Sequence, residues 1–147
     1  MNSKVVFALL ASTVMIIAVA ADAPQKSGVI HVDHEKVSAH FARGGPILAT
    51  NNFKVQAGRR IGPGEVEIHE RDTDIFYILE GTATFVTGGK AVEQKTIGPG
   101  EIRAKEIVGG EERHLAKGDV IIIPNGVPHW FKEVNGTFLY YMVKVTQ

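Results

Sequence analysis

The stretch from Gly64 to Gly81 constrains the fold most, because it combines strand-like runs with side chains that can bind a metal. Side chains alternate between the two faces of a strand, so Glu65, Glu67 and His69 share one face. Polar residues then turn the chain, and a second strand-like run begins at Asp74. If that strand pairs back on the first, Asp74 comes near His69. Carboxylates and an imidazole that converge in this way indicate a divalent metal site.

A second stretch, residues 118–133, offers a further ligand. Its strand ends at a Pro-Asn-Gly sequence, which favours a turn, and His129 begins the next strand. The two stretches together resemble the paired motifs of the cupin superfamily. In the first cupin motif, His-x-His is followed after three or four residues by Glu, and after six more residues by Gly. This chain has Glu67-x-His69, followed after four residues by Asp74 and after six more by Gly81. The second motif has Gly, five residues, Pro-x-Gly, two residues, His, three residues and Asn, where this chain has Gly118, Pro124, Gly126, His129 and Glu133 at that spacing.

The resemblance implies a small single-domain cupin, an all-β double-stranded β-helix or jelly-roll barrel that holds one divalent metal. Carried onto this chain, the ligand positions are Glu67, His69, Asp74 and His129. Two oxygen donors and no thiolate favour Mn or Fe(II), and Zn, Ni or Cu are also compatible with imidazole and carboxylate. The alternative is a barrel without a metal, in which Glu67 forms salt bridges with Arg59, Arg60 or Arg103.

Short strand-like runs with Gly, Pro and Asn between them independently predict an all-β barrel or sandwich. One short helix is predicted from Asp33, which can cap its N-terminus, to Ala42, before a Gly-Gly-Pro stop. Asn135-Gly136 is a signal for a two-residue hairpin between two late strands.

The same-face rule also predicts the walls of a pocket beside the ligands. The candidates are Glu65, Phe76, Ile78, Arg103 and Phe131. The aromatic and aliphatic members would form an apolar wall, although they could equally be ordinary core filling. Arg103 could anchor an anionic substrate, with a surface role as its alternative.

The first 20 residues predict a secretory signal, because a single Lys precedes an apolar run that ends in Ala-Val-Ala. We therefore expect cleavage near Ala20, a mature cupin domain over residues 21–147, and a periplasmic or secreted location. An uncleaved anchor is less favoured, because the run is slightly shorter than a membrane span needs. Charge is nearly balanced and lacks a basic run, which argues against a nucleic acid or membrane partner. The absence of cysteine excludes thiol chemistry.

Residues 120–123 are apolar without alternation, and Ile75, Tyr77 and Leu79 are apolar on the face opposite Asp74. A strand that is apolar on both faces needs a cover, so the sequence predicts a homodimer, with the N-terminal helix and strands as the alternative cover. Three functions follow from the resemblance. They are a metal-dependent enzyme, dioxygenase- or lyase-like, acting on a small organic molecule; a non-catalytic small-molecule-binding or sensing module; and a metal-free structural cupin.

Overall fold

The computed structural model describes residues 28–147. The predicted signal peptide, residues 1–20, lies outside the described residues. The chain divides at Ile30, and the unit His31–Gln147 contains all the elements named here. They are α1 (His34–Arg43), β1 (Gly45–Ala49), β2 (Phe53–Arg60), β3 (Val66–His69), β4 (Asp72–Thr87), β5 (Lys90–Val92), β6 (Lys95–Gly98), β7 (Glu101–Ala104), β8 (Glu106–Val108), β9 (Glu111–Ala116), β10 (Val120–Ile123) and β11 (His129–Thr146). No helix among them is long and apolar enough to cross a membrane.

The single described helix starts and stops where the capping signals predict. The Asp33 carboxylate accepts a 2.9 Å hydrogen bond from the Lys36 N–H, which satisfies a free donor of the first turn. Gly44 ends the helix with a φ of 80°, a conformation that glycine adopts without steric cost, and donates its N–H to the His40 carbonyl.

Two long strands, β4 and β11, organise the barrel. They pair antiparallel along most of their length. In one half of the barrel, β2 and then β1 lie beside β11, and β10 lies beside β4. In the other half, β3, β7 and β6 follow one another beside β11, and β9 lies beside β4. The all-β jelly roll with a short N-terminal helix is therefore confirmed.

The predicted hairpin at Asn135-Gly136 is wrong. Strand β11 continues through both residues, and its register with β4 shifts between Asn135 and Leu139. Gly136 uses its positive φ of 69° within this irregularity rather than in a reversal of the chain. Gly81 lies opposite, where an added Cβ would come within 2.4 Å of the Thr137 carbonyl oxygen. Close approach of two strands thus replaces the turn that the local sequence favours.

Aromatic side chains fill the interior. The main core cluster is formed by Phe76, Ile78, Ala83, Phe85, Leu115, Ile123, Phe131, Phe138 and Tyr140. Several rings are in contact, and the centroids of Phe85 and Phe131 lie 4.6 Å apart. This tight packing holds in place the inner faces of the strands that carry the polar residues of the site.

The Tyr140 ring lies directly against Gly58 on the neighbouring strand. A Cβ at position 58 would be 2.4 Å from ring atoms of Tyr140. We expect Gly58→Ala to lower the free energy of unfolding by about 1–3 kcal/mol, because the buried ring must move. Urea denaturation measures this change. Gly62→Ala is the control, since a Cβ there meets nothing within 4 Å, and equal stability losses in the two variants would contradict the expectation.

Candidate metal centre

Three strands bring the predicted ligands together. Glu67 and His69 lie on β3, Asp74 lies near the start of β4, and His129 opens β11. His129 is the register partner of Glu67, so residues 62 positions apart become direct neighbours across two strands. The alternation of side chains along β3 places both of its ligand candidates on the inner face, as predicted.

Donor atoms of Glu67, His69 and His129 all lie within 4.8 Å of one another. His69 Nε2 is 3.4 Å from Glu67 Oε2 and 3.5 Å from Asp74 Oδ2. His129 Nε2 lies 3.8 Å from the same Asp74 oxygen. Donors that share an ion about 2 Å away are roughly 3–4 Å from one another, so the spacing fits a single metal ion.

His69 is oriented for metal binding by its second nitrogen. Its Nδ1 is 2.8 Å from Glu101 Oε2, a contact that fixes the ring and, with Nδ1 as the donor, leaves the Nε2 lone pair free. Nε2 is buried and has no hydrogen-bond partner among the described residues, and carboxylate oxygens of Glu67 and Asp74 lie 3.4 and 3.5 Å from it. Burial and the charge of Lys144 lower the pKa of His69, but contacts with the Glu67, Asp74 and Glu101 carboxylates outweigh them and leave that pKa raised, so a metal ion bound at Nε2 would displace a proton.

His129 is also held with one nitrogen facing the cavity. Its Nδ1 donates to the Val127 carbonyl at 3.0 Å, and Nε2 points towards Asp74. Burial is the main cause that lowers the pKa of His129, which favours the neutral imidazole that can bind a metal.

Glu67 is ionised at neutral pH. Burial raises its pKa, but contact with His69 and the charges of Arg103 and Arg60 outweigh burial and lower the pKa to about 2. Arg60 approaches one carboxylate oxygen at 3.0 Å, and Arg103 approaches the other at 3.7 Å. Two of the three arginines suggested as salt-bridge partners are therefore close to Glu67, whereas Arg59 is exposed.

A family model described as cupin matches residues 62–147, which include every strand that carries these donors. This chain is a cupin. No curated protein matches it.

Solved structures of low sequence identity share the cupin's fold. The protein TT1209 of Thermus thermophilus is 20% identical with a TM-score of 0.51, covering 70% of this chain and 81% of its own. BH2720 of Bacillus halodurans is 13% identical with a TM-score of 0.56, covering 82% and 84%. The DMSP lyase DddQ of Ruegeria pomeroyi DSS-3 is 15% identical with a TM-score of 0.50, covering 71% and 46%. These likenesses concern the fold.

The cupin's donors face a cavity of about 300 Å³. Of the predicted pocket residues, Glu65, Phe76, Arg103 and Phe131 line it. Ile78 does not, and that prediction is wrong. The Ile78 side chain is fully buried in the aromatic core, because it stands two inward positions beyond Asp74 along β4.

Sequence reasoning missed several cavity residues of this cupin. Arg60 stacks 4.4 Å above the centre of the Phe131 ring, and its Nε donates to the Tyr140 hydroxyl at 3.3 Å. Lys144 is the least expected of these residues, because a lysine is rarely buried. Its signal was the period of two along β11, which puts Tyr140, Met142 and Lys144 on the same face.

Proposed function

We propose that this cupin binds one divalent metal ion through Glu67, His69 and His129, with Asp74 beside them, and is a metal-dependent enzyme acting on a small organic molecule. The observation that carries the proposal is the buried Nε2 of His69, which has no hydrogen-bond partner among the described residues and lies beside the donor groups of Glu67, His129 and Asp74. A buried polar atom without a partner is costly, and a metal ion would remove that cost.

The donor set favours Mn or Fe(II), because imidazole and carboxylate without thiolate suit these ions. Such an ion would supply Lewis acidity or redox chemistry with dioxygen, as a lyase or a dioxygenase requires. DddQ, a lyase of the same fold, is an example of the chemistry that such a barrel supports. Because the fold does not select the reaction, the residues of the site must decide between a lyase and a dioxygenase.

Residues of the cavity would orient the substrate. Phe76 and Phe131 supply an apolar wall, and the Tyr140 hydroxyl and the arginines supply hydrogen bonds. Arg103 lines the cavity, where hydrogen bonds to the Ile102 carbonyl at 3.1 Å and to Glu101 at 3.4 Å hold its guanidinium, and its contact with Glu67 is longer, at 3.7 Å. A guanidinium held there can bind an anionic group of the substrate. The proposed substrate is accordingly a small molecule with both an apolar and a polar or anionic part.

Metal analysis of the protein, made without an affinity tag and reconstituted with Mn²⁺ or Fe²⁺, tests the metal proposal. We expect one ion per chain. Oxygen uptake with Fe²⁺, or release of an elimination product with Mn²⁺, in a screen of small organic acids would identify the reaction. No bound ion under any of these conditions would contradict the proposal.

The second candidate is a non-catalytic small-molecule binder, in which a metal is dispensable. The ion pairs of Glu67 with Arg60 and Arg103 favour it, because they compensate that carboxylate without a metal. Ligand-induced changes in Trp130 fluorescence without turnover would support this function over the enzyme.

We also propose a homodimer that covers the outer face of β10 and β4. Tyr77 is 47% exposed there, Val120 61% and Ile122 60%, and the main contacts of α1 are with β1 and β2. An apolar face suits a second copy related by a two-fold axis, since each face then covers the other. Light scattering should give twice the chain mass, and Ile122→Asp should give the monomer. A wild-type monomer at micromolar concentration would exclude the dimer.

A further inference from the structure

Lys144 is a buried cation beside the donor cluster. Its side chain lines the cavity, yet only 6% of the residue is exposed. Nζ lies 2.6 Å from Asp74 Oδ1, the shortest distance between either Asp74 oxygen and a charged neighbour. Asp74 is itself 2% exposed, so each group is the main charge compensation of the other in a region of low dielectric.

The strand register builds this pair into the barrel. Lys144 on β11 is the Cα partner of Asp74 on β4 and of Lys54 on β2. Asp72 lies 4.0 Å from the Lys144 ammonium and 3.7 Å from that of Lys54. Two lysines and two aspartates therefore form a charge-balanced cluster, of which Lys54, Lys144 and Asp74 line the cavity. Asp74 belongs to this cluster as well as to the donor set.

Glu67 differs from Asp74 in how its charge is compensated. Its guanidinium partner, Arg60, is 3.0 Å away and is also engaged by the Tyr140 hydroxyl and by the face of Phe131. The Lys144 ammonium is a compact charge whose hydrogen bond is made to Asp74 alone among the described side chains. A divalent cation bound by Asp74 would be drawn close to that ammonium, which repels it.

We propose that Lys144 is a positioning residue that competes with the metal ion for Asp74. Glu67, His69 and His129 are then the strong protein ligands, and Asp74 is a carboxylate held next to them. Its Oδ2, which faces both histidine Nε2 atoms, is available to accept a hydrogen bond from a substrate hydroxyl. This inference rests on the proposed metal function and refines it by replacing the predicted fourth ligand with an acidic group that faces the substrate.

The test is Mn²⁺ affinity, measured by calorimetry, in wild type, Lys144→Met and the double variant Asp74→Asn with Lys144→Met. The double variant removes both charges, so the barrel keeps its charge balance. We expect its affinity to stay within about threefold of wild type, and the single variant, whose Asp74 is freed to bind the ion, to gain about tenfold.

Loss of about a hundredfold in the double variant would overturn the inference, because Asp74 would then be a true ligand. An unchanged or weaker affinity in Lys144→Met would also overturn it. Should the single variant not fold without metal, the double variant still decides the question. A wild-type protein that binds no Mn²⁺ would refute the metal proposal itself. If the wild type binds Mn²⁺ and the double variant does not, only the inference about Lys144 and Asp74 is refuted.

Discussion

Replacing His129 by alanine will lower the affinity for Mn²⁺ by about a hundredfold or more, because it removes one of three strong ligands. The imidazole is buried, is held by the Val127 carbonyl, and points Nε2 into the donor cluster. No neighbouring side chain on β11 can replace it, since Trp130 faces away and donates its indole N–H to the Gly64 carbonyl. Calorimetric titration and metal analysis after dialysis measure the loss.

The matched control is His114→Ala. His114 is exposed on β9 and lies away from the cavity, so its replacement should leave Mn²⁺ affinity unchanged. Thermal melting of the metal-free proteins shows whether His129→Ala is folded, and His129→Gln repeats the test with a side chain closer in volume. Full metal occupancy in folded His129 variants would refute the assigned centre.

The metal-free Lys144→Met variant will lose about 3–5 kcal/mol of stability, because Asp74 keeps its charge in the interior without a partner. The pair is buried and its atoms are 2.6 Å apart, so the freed carboxylate loses its nearest compensating charge. Urea denaturation of metal-free protein measures the change in free energy of unfolding. The same freed carboxylate accounts for the gain in Mn²⁺ affinity expected of this variant.

Two comparisons isolate the buried charge. Lys132→Met removes an ammonium that is 2.8 Å from Glu112 on the surface, where water screens the pair, so its stability should hardly change. The Asp74→Asn, Lys144→Met double variant removes both buried charges and should recover most of the lost stability. Equal losses of stability in the Lys132 and Lys144 variants would show that the buried pair stabilises the fold no more than the surface pair does.

Local pattern was enough for much of this molecule. The alternation of side chains in Glu67-x-His69 predicted their shared inner face, and the capping signals predicted both ends of the helix. Pattern failed where two strands distant in sequence decide the outcome. Asn135-Gly136 has the residues of a hairpin, yet β11 pairs with β4 both before and after these two residues, and this pairing keeps the strand continuous. Ile78 shares the inner face of Asp74, but its depth in the barrel, which alternation does not measure, places it in the core.

The sequence by itself determined the cupin jelly roll and the residues that converge on its centre, because strand period and motif spacing are local properties. Only the tertiary structure decided which cations accompany the carboxylates. Lys144 reaches Asp74 through pairing of strands far apart in the chain. Arg60, on β2, reaches Glu67, on β3, because both strands pair with β11. The physical reason is that electrostatic interaction depends on distance and burial in space, so the charge of the centre is set by the register of the barrel.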